Sequence, residues 1–254
     1  MLDQKSIYVW RIRLDSAAAY HAEQVALWRK LLSPEELSKA DRFHAEGHRR
    51  DYIVAHAALR VVLGDCLDLP AGEVRFAAAS SIGTGASETK PSLLGETDGR
   101  SQLRFNLSHS GGTALIGVAM DREIGVDIER QRHLEDMNAM ARSIFSCEEM
   151  AQWTKLPEAD RNTAFYRVWT RKEAYLKAIG LGLYRNLQDV TVPLAIELTG
   201  DSAQPCLVRD QANTQETWSV RDVPVMTGYS AALCCRGERP GPLLVDDLDI
   251  NQIV

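Results

Sequence analysis

The chain has 254 residues, of which 45% are hydrophobic, 25% charged and 7% aromatic, which excludes a disordered, collagen-like or disulfide-dense scaffold. A net charge of −6 speaks against a nucleic-acid binder, and no run of about 18 apolar residues offers a membrane span. The five cysteines, Cys66, Cys147, Cys206, Cys234 and Cys235, include no CxxC pair. They point to reduced thiols in the cytoplasm and away from a zinc site. The N-terminal MLDQKSIYVW is charged and runs straight into a strand-like pattern, so it does not read as a signal peptide.

In chain order, Tyr8, Trp10, Ile12 and Leu14 alternate with more polar positions and predict a half-buried strand over 7–14. An apolar stripe from Tyr20 to Leu32 predicts a helix over 17–32. Ser33-Pro34-Glu35-Glu36 starts another, with Ser as N-cap, Pro in the first turn and Glu three residues on. A helix over 49–63 ends near Gly64, a strand follows over 73–79, and the turn-rich stretch 83–101 reads as loop. A faint repeat runs through these elements. Ser33-Pro-Glu-Glu-Leu recurs as Ser146-Cys-Glu-Glu-Met at an offset of 113. The helix end at Gly64 and the strand at Glu73 recur at Gly180 and Asp189, both at an offset of 116. The reading is a duplicated α+β unit with a seam between the halves, a place where ligand sites tend to form.

Four segments carry chemistry. Ile124-Gly125-Val126-Asp127-Ile128-Glu129 reads as a strand with Asp127 and Glu129 on one face, about 7 Å apart. At an effective dielectric near ~20 two such charges repel by roughly 2 kcal/mol, so water, a basic side chain or a hard cation should offset them. Trp169 to Gly180 is rich in helix formers and sets Glu173 and Lys177 four apart on one face, as a surface ion pair or as site residues. Phe105 to Gly112 reads as a short strand running into a small-residue loop able to approach an anion, with Ser108 and His109 adding donors. A basic run holds Lys39, Arg42, Arg49, Arg50 and Arg60 with His44, His48 and His56; most of it reads as a solvated helix face, with one or two cations available to a phosphate.

Taken in order, SPEELSKADRF, Lys90-Pro91, FNLSHSG, GVDIE and WTRKEAYLKAIGLGL resemble the Sfp-type 4′-phosphopantetheinyl transferases over about residues 30–185. The resemblance implies an α+β pseudo-dimer of two similar α/β halves with the active site at the seam. Residues 1–112 would form the coenzyme A side, and 113–254 the metal site, the carrier-binding side and a C-terminal tail. It implies transfer of the phosphopantetheine arm of coenzyme A to a serine of an apo acyl or peptidyl carrier protein, with release of adenosine 3′,5′-bisphosphate. Asp127, Glu129 and Glu173 match the family's ligands for Mg²⁺ (or Mn²⁺). Glu173 would also serve as base, Lys177 would hold the pyrophosphate, Ser108 and His109 would contact phosphates, and Lys39 and Lys90 would hold the nucleotide end. His109, Glu173 and Lys177 form the expected catalytic set.

The thiols, the charge and the lack of a long apolar run lead to the expectation of a cytoplasmic protein that binds neither nucleic acid nor membrane, and a chain whose two halves form their interface internally is expected to be a monomer. Met137, Met140, Ile144 and Phe145 form an apolar stripe that either docks the carrier or, as the favoured reading, belongs to the core. The competing functions are a non-catalytic carrier-binding homologue and a metal-dependent hydrolase of the coenzyme A pyrophosphate.

Overall fold

The computed structural model describes residues 2–14, 22–77, 90–94, 102–180, 185–194, 205–238 and 240–249. Within them lie β1 (Ile7–Arg13), α1 (Ala22–Arg29), α2 (Pro34–Ala40), α3 (Glu46–Leu67), β2 (Leu103–Ser110), β3 (Thr113–Met120), β4 (Ile124–Arg130), α4 (Met137–Ile144), α5 (Cys147–Trp153), α6 (Glu158–Ile179), β5 (Val190–Thr191), β6 (Cys206–Asp210), β7 (Trp218–Asp222), β8 (Tyr229–Arg236) and β9 (Leu243–Leu248). The fold is mixed α+β with two sheets, ordered β2-β3-β1-β9 and β4-β8-β7-β6-β5. The expected division after residue 112 falls at the β2–β3 turn. The strands change sheet between Met120 and Ile124, and β9 returns to pair in parallel with β1.

β3 shows how the layers stack. Its apolar residues are buried on both faces: Ala114, Ile116 and Val118 pack into the core under α3, while Leu115 and Ala119 face Ile124, Val126 and Ile128 of β4 and Leu233 of β8. Beyond β4 and β8, Ala232 and Cys234 join the core around α6. The order is therefore helix, sheet, sheet, helix. The alternation of β4 sends Gly125, Asp127 and Glu129 to the α6 side.

The sequence repeat has a structural counterpart. Ser33 caps α2 and Ser146 caps α5, each with a reciprocal bond from the third residue, Glu36 or Glu149. Both glutamates are buried, and each meets a buried cation from the following long helix: Arg60 Nε reaches Glu36 at 2.8 Å and Lys172 Nζ reaches Glu149 at 2.6 Å. Each cation also binds carbonyls beyond its helix, Arg60 that of Val74 and Lys172 that of Leu187. Both helices run 22 residues and end on a left-handed residue, Asp68 or Gly180.

Several expected boundaries shift. The helix predicted to end at Gly64 continues to Leu67 and stops at left-handed Asp68; Gly64 leaves room for the chain to fold back, since a Cβ there would stand 2.6 Å from the Leu69 carbonyl oxygen. The strand expected over 73–79 is a short 3₁₀ turn at Ala71–Glu73 and an isolated bridge from Phe76 to Leu93, with 78 and 79 outside the described residues. The helix expected over 17–32 is described from Ala22 to Arg29. Most of the 83–101 stretch also lies outside the described residues. No helix among the described residues is long and apolar enough to cross a membrane.

Candidate active site

The expected small-residue loop after Phe105 is instead strand up to Ser110. Gly111 and Gly112, with φ of 55° and 88°, form a two-residue turn that requires left-handed backbone at both positions. Ser108 and His109 therefore sit on β2. Asn106, Ser108 and Ser110 point the same way by strand alternation, and each accepts a backbone N–H from β4: Val126 to Asn106 at 2.8 Å, Ile128 to Ser108 at 3.4 Å, and Arg130 to Ser110 at 3.2 Å. β2 and β4 are edge strands of different sheets, so side chains do the work that a backbone ladder would do within one sheet.

This zipper places hydroxyls against the carboxylates of β4. Ser108 Oγ donates to Asp127 at 3.0 Å, and Ser110 Oγ donates to Glu129 at 2.6 Å. From α6, Lys177 Nζ donates to Asp127 at 2.6 Å and to Ser108 at 2.8 Å. α6 approaches this closely because residue 125 is glycine: a Cβ there would stand 2.1 Å from the Ala174 carbonyl oxygen and 2.4 Å from the Ala178 nitrogen. Asp127 is only 3% exposed. Burial pushes its carboxyl up, the Lys177 charge and hydrogen bond pull it back, and the Glu129 charge pushes it up again, for a net rise. Burial, helped by the charges of Asp127 and Glu129, pushes the Glu173 carboxyl up to about 7.

Two buried oxygens, Asp127 Oδ2 and Glu173 Oε1, have no hydrogen-bond partner among the described residues. Lone-pair oxygens from two mutually repelling carboxylates, beside the half-buried Glu129, are a donor set suited to a hard divalent cation. As the side chains lie, no three His, Cys, Asp or Glu groups among the described residues close on one metal position. Asp127 Oδ1 and Glu129 Oε2 face Lys177 and Ser110 instead.

The expected basic partners divide. His109 is exposed on β2, yet its crowded surroundings, followed by the charges of His56, Lys177, Lys39 and His48, hold its imidazole below the ordinary histidine range. Lys39 lies over the Tyr52 ring, its Nζ 5.7 Å from the centroid. The charges of Lys39 and Lys177 thus both act on His109, and Lys177 also binds the carboxylate of Asp127. Lys90 stands differently. Its Nζ donates to Glu123 at 2.6 Å and to the Ala178 carbonyl at 3.3 Å, and burial, only partly offset by Glu123, lowers its ammonium. It lines a cavity of about 200 Å³ with Pro91, Arg104 and Glu123. A larger cavity, of about 870 Å³, lies between the start of α5 and β6 and is lined by none of the expected site residues. Of the stripe weighed as a carrier dock, Ile144 and Phe145 are buried and Met137 packs on the α6 core, while Met140 is exposed.

A family model described as the 4′-phosphopantetheinyl transferase superfamily matches residues 123–234, the stretch that holds β4 and α6. The chain is 36% identical over 188 residues to the 4′-phosphopantetheinyl transferase HetI of Nostoc sp. (strain PCC 7120), covering 74% of each. The chain belongs to the 4′-phosphopantetheinyl transferase superfamily. It is also 27% identical to the 4′-phosphopantetheinyl transferase Sfp of Bacillus subtilis, over 84% of this chain and 85% of that one. A more distant relative is the L-aminoadipate-semialdehyde dehydrogenase-phosphopantetheinyl transferase of Xenopus laevis, 26% identical over 88% of this chain and 74% of that one.

Within this transferase, sequence reasoning missed three contributors. Ser110 holds Glu129, Asn106 registers β4, and Lys172 is a wholly buried strut to Glu149 rather than a site residue. Strand alternation from Ser108 would have found the first two; nothing local marks the third.

Proposed function

We propose that the chain transfers the 4′-phosphopantetheine arm of coenzyme A to a serine hydroxyl of an apo acyl or peptidyl carrier protein in a Mg²⁺-dependent reaction that releases adenosine 3′,5′-bisphosphate. The observation that carries this reading is the pair of buried, partnerless carboxylate oxygens on Asp127 and Glu173 set beside Lys177, Ser108 and His109. Anionic groups that would hold a cation thus adjoin basic groups that would hold phosphates, the combination that cleavage of a pyrophosphate requires.

In this reading Asp127, Glu129 and Glu173 hold the metal, which when bound neutralises pyrophosphate charge and polarises the attacked phosphorus. Ser108, His109 and Lys177 bind phosphate oxygens, Lys39 the nucleotide end, and Lys90 backs the last turn of α6 beside them. The carrier serine oxygen forms the new P–O bond as the bond to the departing bisphosphate breaks. Glu173 would accept the serine proton, and Lys177 would steady the charge that builds on the leaving group. Residues 1–112 supply the coenzyme A side and 113–254 the carboxylates and the carrier-facing side. The five unpaired thiols suit a reducing cytoplasm, and the two-sheet chain acts as a monomer.

The test is incubation with coenzyme A, Mg²⁺ and a panel of apo carriers, read by intact mass. A gain of one phosphopantetheine on a carrier serine is the expected result. No gain on any carrier refutes the reading, and cleavage of coenzyme A without a carrier would mark a hydrolase instead.

A further inference from the structure

Lys90 belongs to neither sheet, yet its ammonium reaches both elements that carry the site carboxylates. Nζ donates at 2.6 Å to Glu123, the residue before β4, and at 3.3 Å to the Ala178 carbonyl in the last turn of α6. The second bond has a specific use. The last carbonyls of a helix have no partner within it, and a cation placed there also opposes the negative end of the helix dipole. At the end of α6 the Gly180 N–H turns back to the Leu176 carbonyl, and Lys90 takes that of Ala178. Ala178 follows Lys177 directly, and its nitrogen is among the backbone atoms packed against Gly125 of β4. Lys90 therefore grips α6 where the helix touches the strand. Glu123 is itself fixed: its Oε1 accepts Arg104 Nε of β2 at 2.7 Å, and its carbonyl accepts the Arg236 N–H of β8 at 3.0 Å. The Lys90 side chain is 15% exposed, and two of its three donors are committed inside the protein.

We propose that Lys90 is a positioning residue for transfer: it latches the end of α6 to the start of β4, and so sets Glu173 and Lys177 against Asp127, instead of holding the nucleotide end of coenzyme A. The inference rests on the proposed transferase reading and replaces the role that the resemblance implies for this one lysine. An ordinary surface ion pair contributes little and has no reason to include a helix carbonyl. Here one ammonium joins three segments distant in the chain, and the two elements it joins bear every carboxylate proposed to hold the metal. Asp127 and Glu129 follow Glu123 along β4, while Glu173 and Lys177 precede Ala178 along α6. With the latch closed, Lys177 meets Asp127 at 2.6 Å. With it open, the last turn of α6 keeps its packing on β4 but loses its outer restraint. A displacement of about 1 Å in a site of this kind is enough to slow the reaction by about a hundredfold.

The experiment compares the full-length wild type with Lys90→Met, Lys90→Arg and Glu123→Ala. Each is titrated with adenosine 3′,5′-bisphosphate by calorimetry, and kcat and KM for coenzyme A are measured on an apo carrier that the wild type modifies. Glu123→Ala opens the latch but leaves the Lys90 ammonium in the chain, so it separates positioning from direct contact. The expected result is a fall in kcat of between about tenfold and about a hundredfold in both Lys90→Met and Glu123→Ala, with no further fall in the double variant. Affinity for the bisphosphate should stay within about twofold of wild type in both. Lys90→Arg, which keeps donors for Glu123 and Ala178, should recover most of kcat. Weaker bisphosphate binding in Lys90→Met, with unchanged or tighter binding in Glu123→Ala, would overturn the proposal and make Lys90 a nucleotide ligand. Wild-type kcat in Lys90→Met would also overturn it. If Lys90→Met does not fold, Glu123→Ala decides, and wild-type kcat there overturns the proposal. Absence of transfer by the wild type itself, on every carrier, would overturn the transferase reading and this inference with it.

Discussion

Asp127 of β4 and Lys177 of α6 meet at 2.6 Å, so a carboxylate suited to a divalent cation already faces an ammonium. The two roles compete for one oxygen, Asp127 Oδ1, while Oδ2 stays without a partner. In Lys177→Met that competition disappears, but so does the cation nearest the proposed phosphate site. We expect transfer to fall by at least about 10²-fold while Mn²⁺ or Mg²⁺ binding, followed by calorimetry, stays the same or tightens. Weaker metal binding in this variant would show that Lys177 organises the carboxylates rather than competing with a metal.

Glu173 sets a pH dependence. Its folded-state carboxyl titrates near 7 against an ordinary value of 4.5, so the folded chain holds this proton more tightly than the unfolded chain. The sign follows: the group costs nothing well below 4.5, its penalty grows as pH rises toward 7, and it is complete above that. Glu173→Gln should therefore raise stability at pH 8, by on the order of 2 kcal/mol, while abolishing transfer. Denaturant midpoints at about pH 4 and about pH 8 check it; the gain should vanish at the lower pH. In the wild type, metal affinity should rise with pH through this range, because binding displaces the proton.

Gly125 sets the distance between β4 and α6. In Gly125→Ala the methyl would collide with helix backbone, which cannot rotate away as a side chain could. We expect a stability loss of about 1–3 kcal/mol and a larger proportional loss of transfer, since Glu173 and Lys177 would be lifted from Asp127. Activity preserved in a destabilised variant would mean that the site tolerates a shift of this helix.

Asp127 and Glu129 should differ in weight. Asp127 is buried against Lys177 and Ser108, whereas Glu129 is half-buried and, among the described residues, held by Ser110. Asp127→Ala should eliminate detectable metal binding, and Glu129→Gln, which keeps an acceptor for Ser110, should weaken it by no more than about tenfold. Equal losses would place the two carboxylates on the same footing.

Lys172 tests the strut. With 0% of its side chain exposed, it binds Glu149 and the carbonyls of Ile144 and Leu187. Lys172→Met would leave Glu149 buried without its counterion, and we expect a loss of about 3–5 kcal/mol in thermal or denaturant unfolding.

How much of this was legible follows from how local each signal is. β4 and α6 could be read because alternation and helix-forming composition are properties of a few adjacent residues. The convergence of Asp127, Glu129, Glu173 and Lys177 on one side was readable only as a resemblance, since β4 and α6 are far apart in the chain. Ser108 was misplaced into a loop because two glycines after a Ser-His-Ser run suggest flexibility, whereas here they make the tightest possible hairpin. Lys172 and Arg60 were opaque for a common reason. Each is explained by a buried glutamate whose own local signal is a helix cap, and nothing in a capping box announces that its carboxylate will also anchor a cation from the next helix.

The side-chain zipper between β2 and β4 has a consequence for the life of the protein outside catalysis. Outermost strands with unsatisfied amides are templates on which other chains can polymerise. Here Asn106, Ser108 and Ser110 stopper the donors of Val126, Ile128 and Arg130, blunting the exposed border of one sheet with the border of the other. Replacing those three small polar residues by alanine would do more than disturb phosphate chemistry: it would unseal a border and invite self-association.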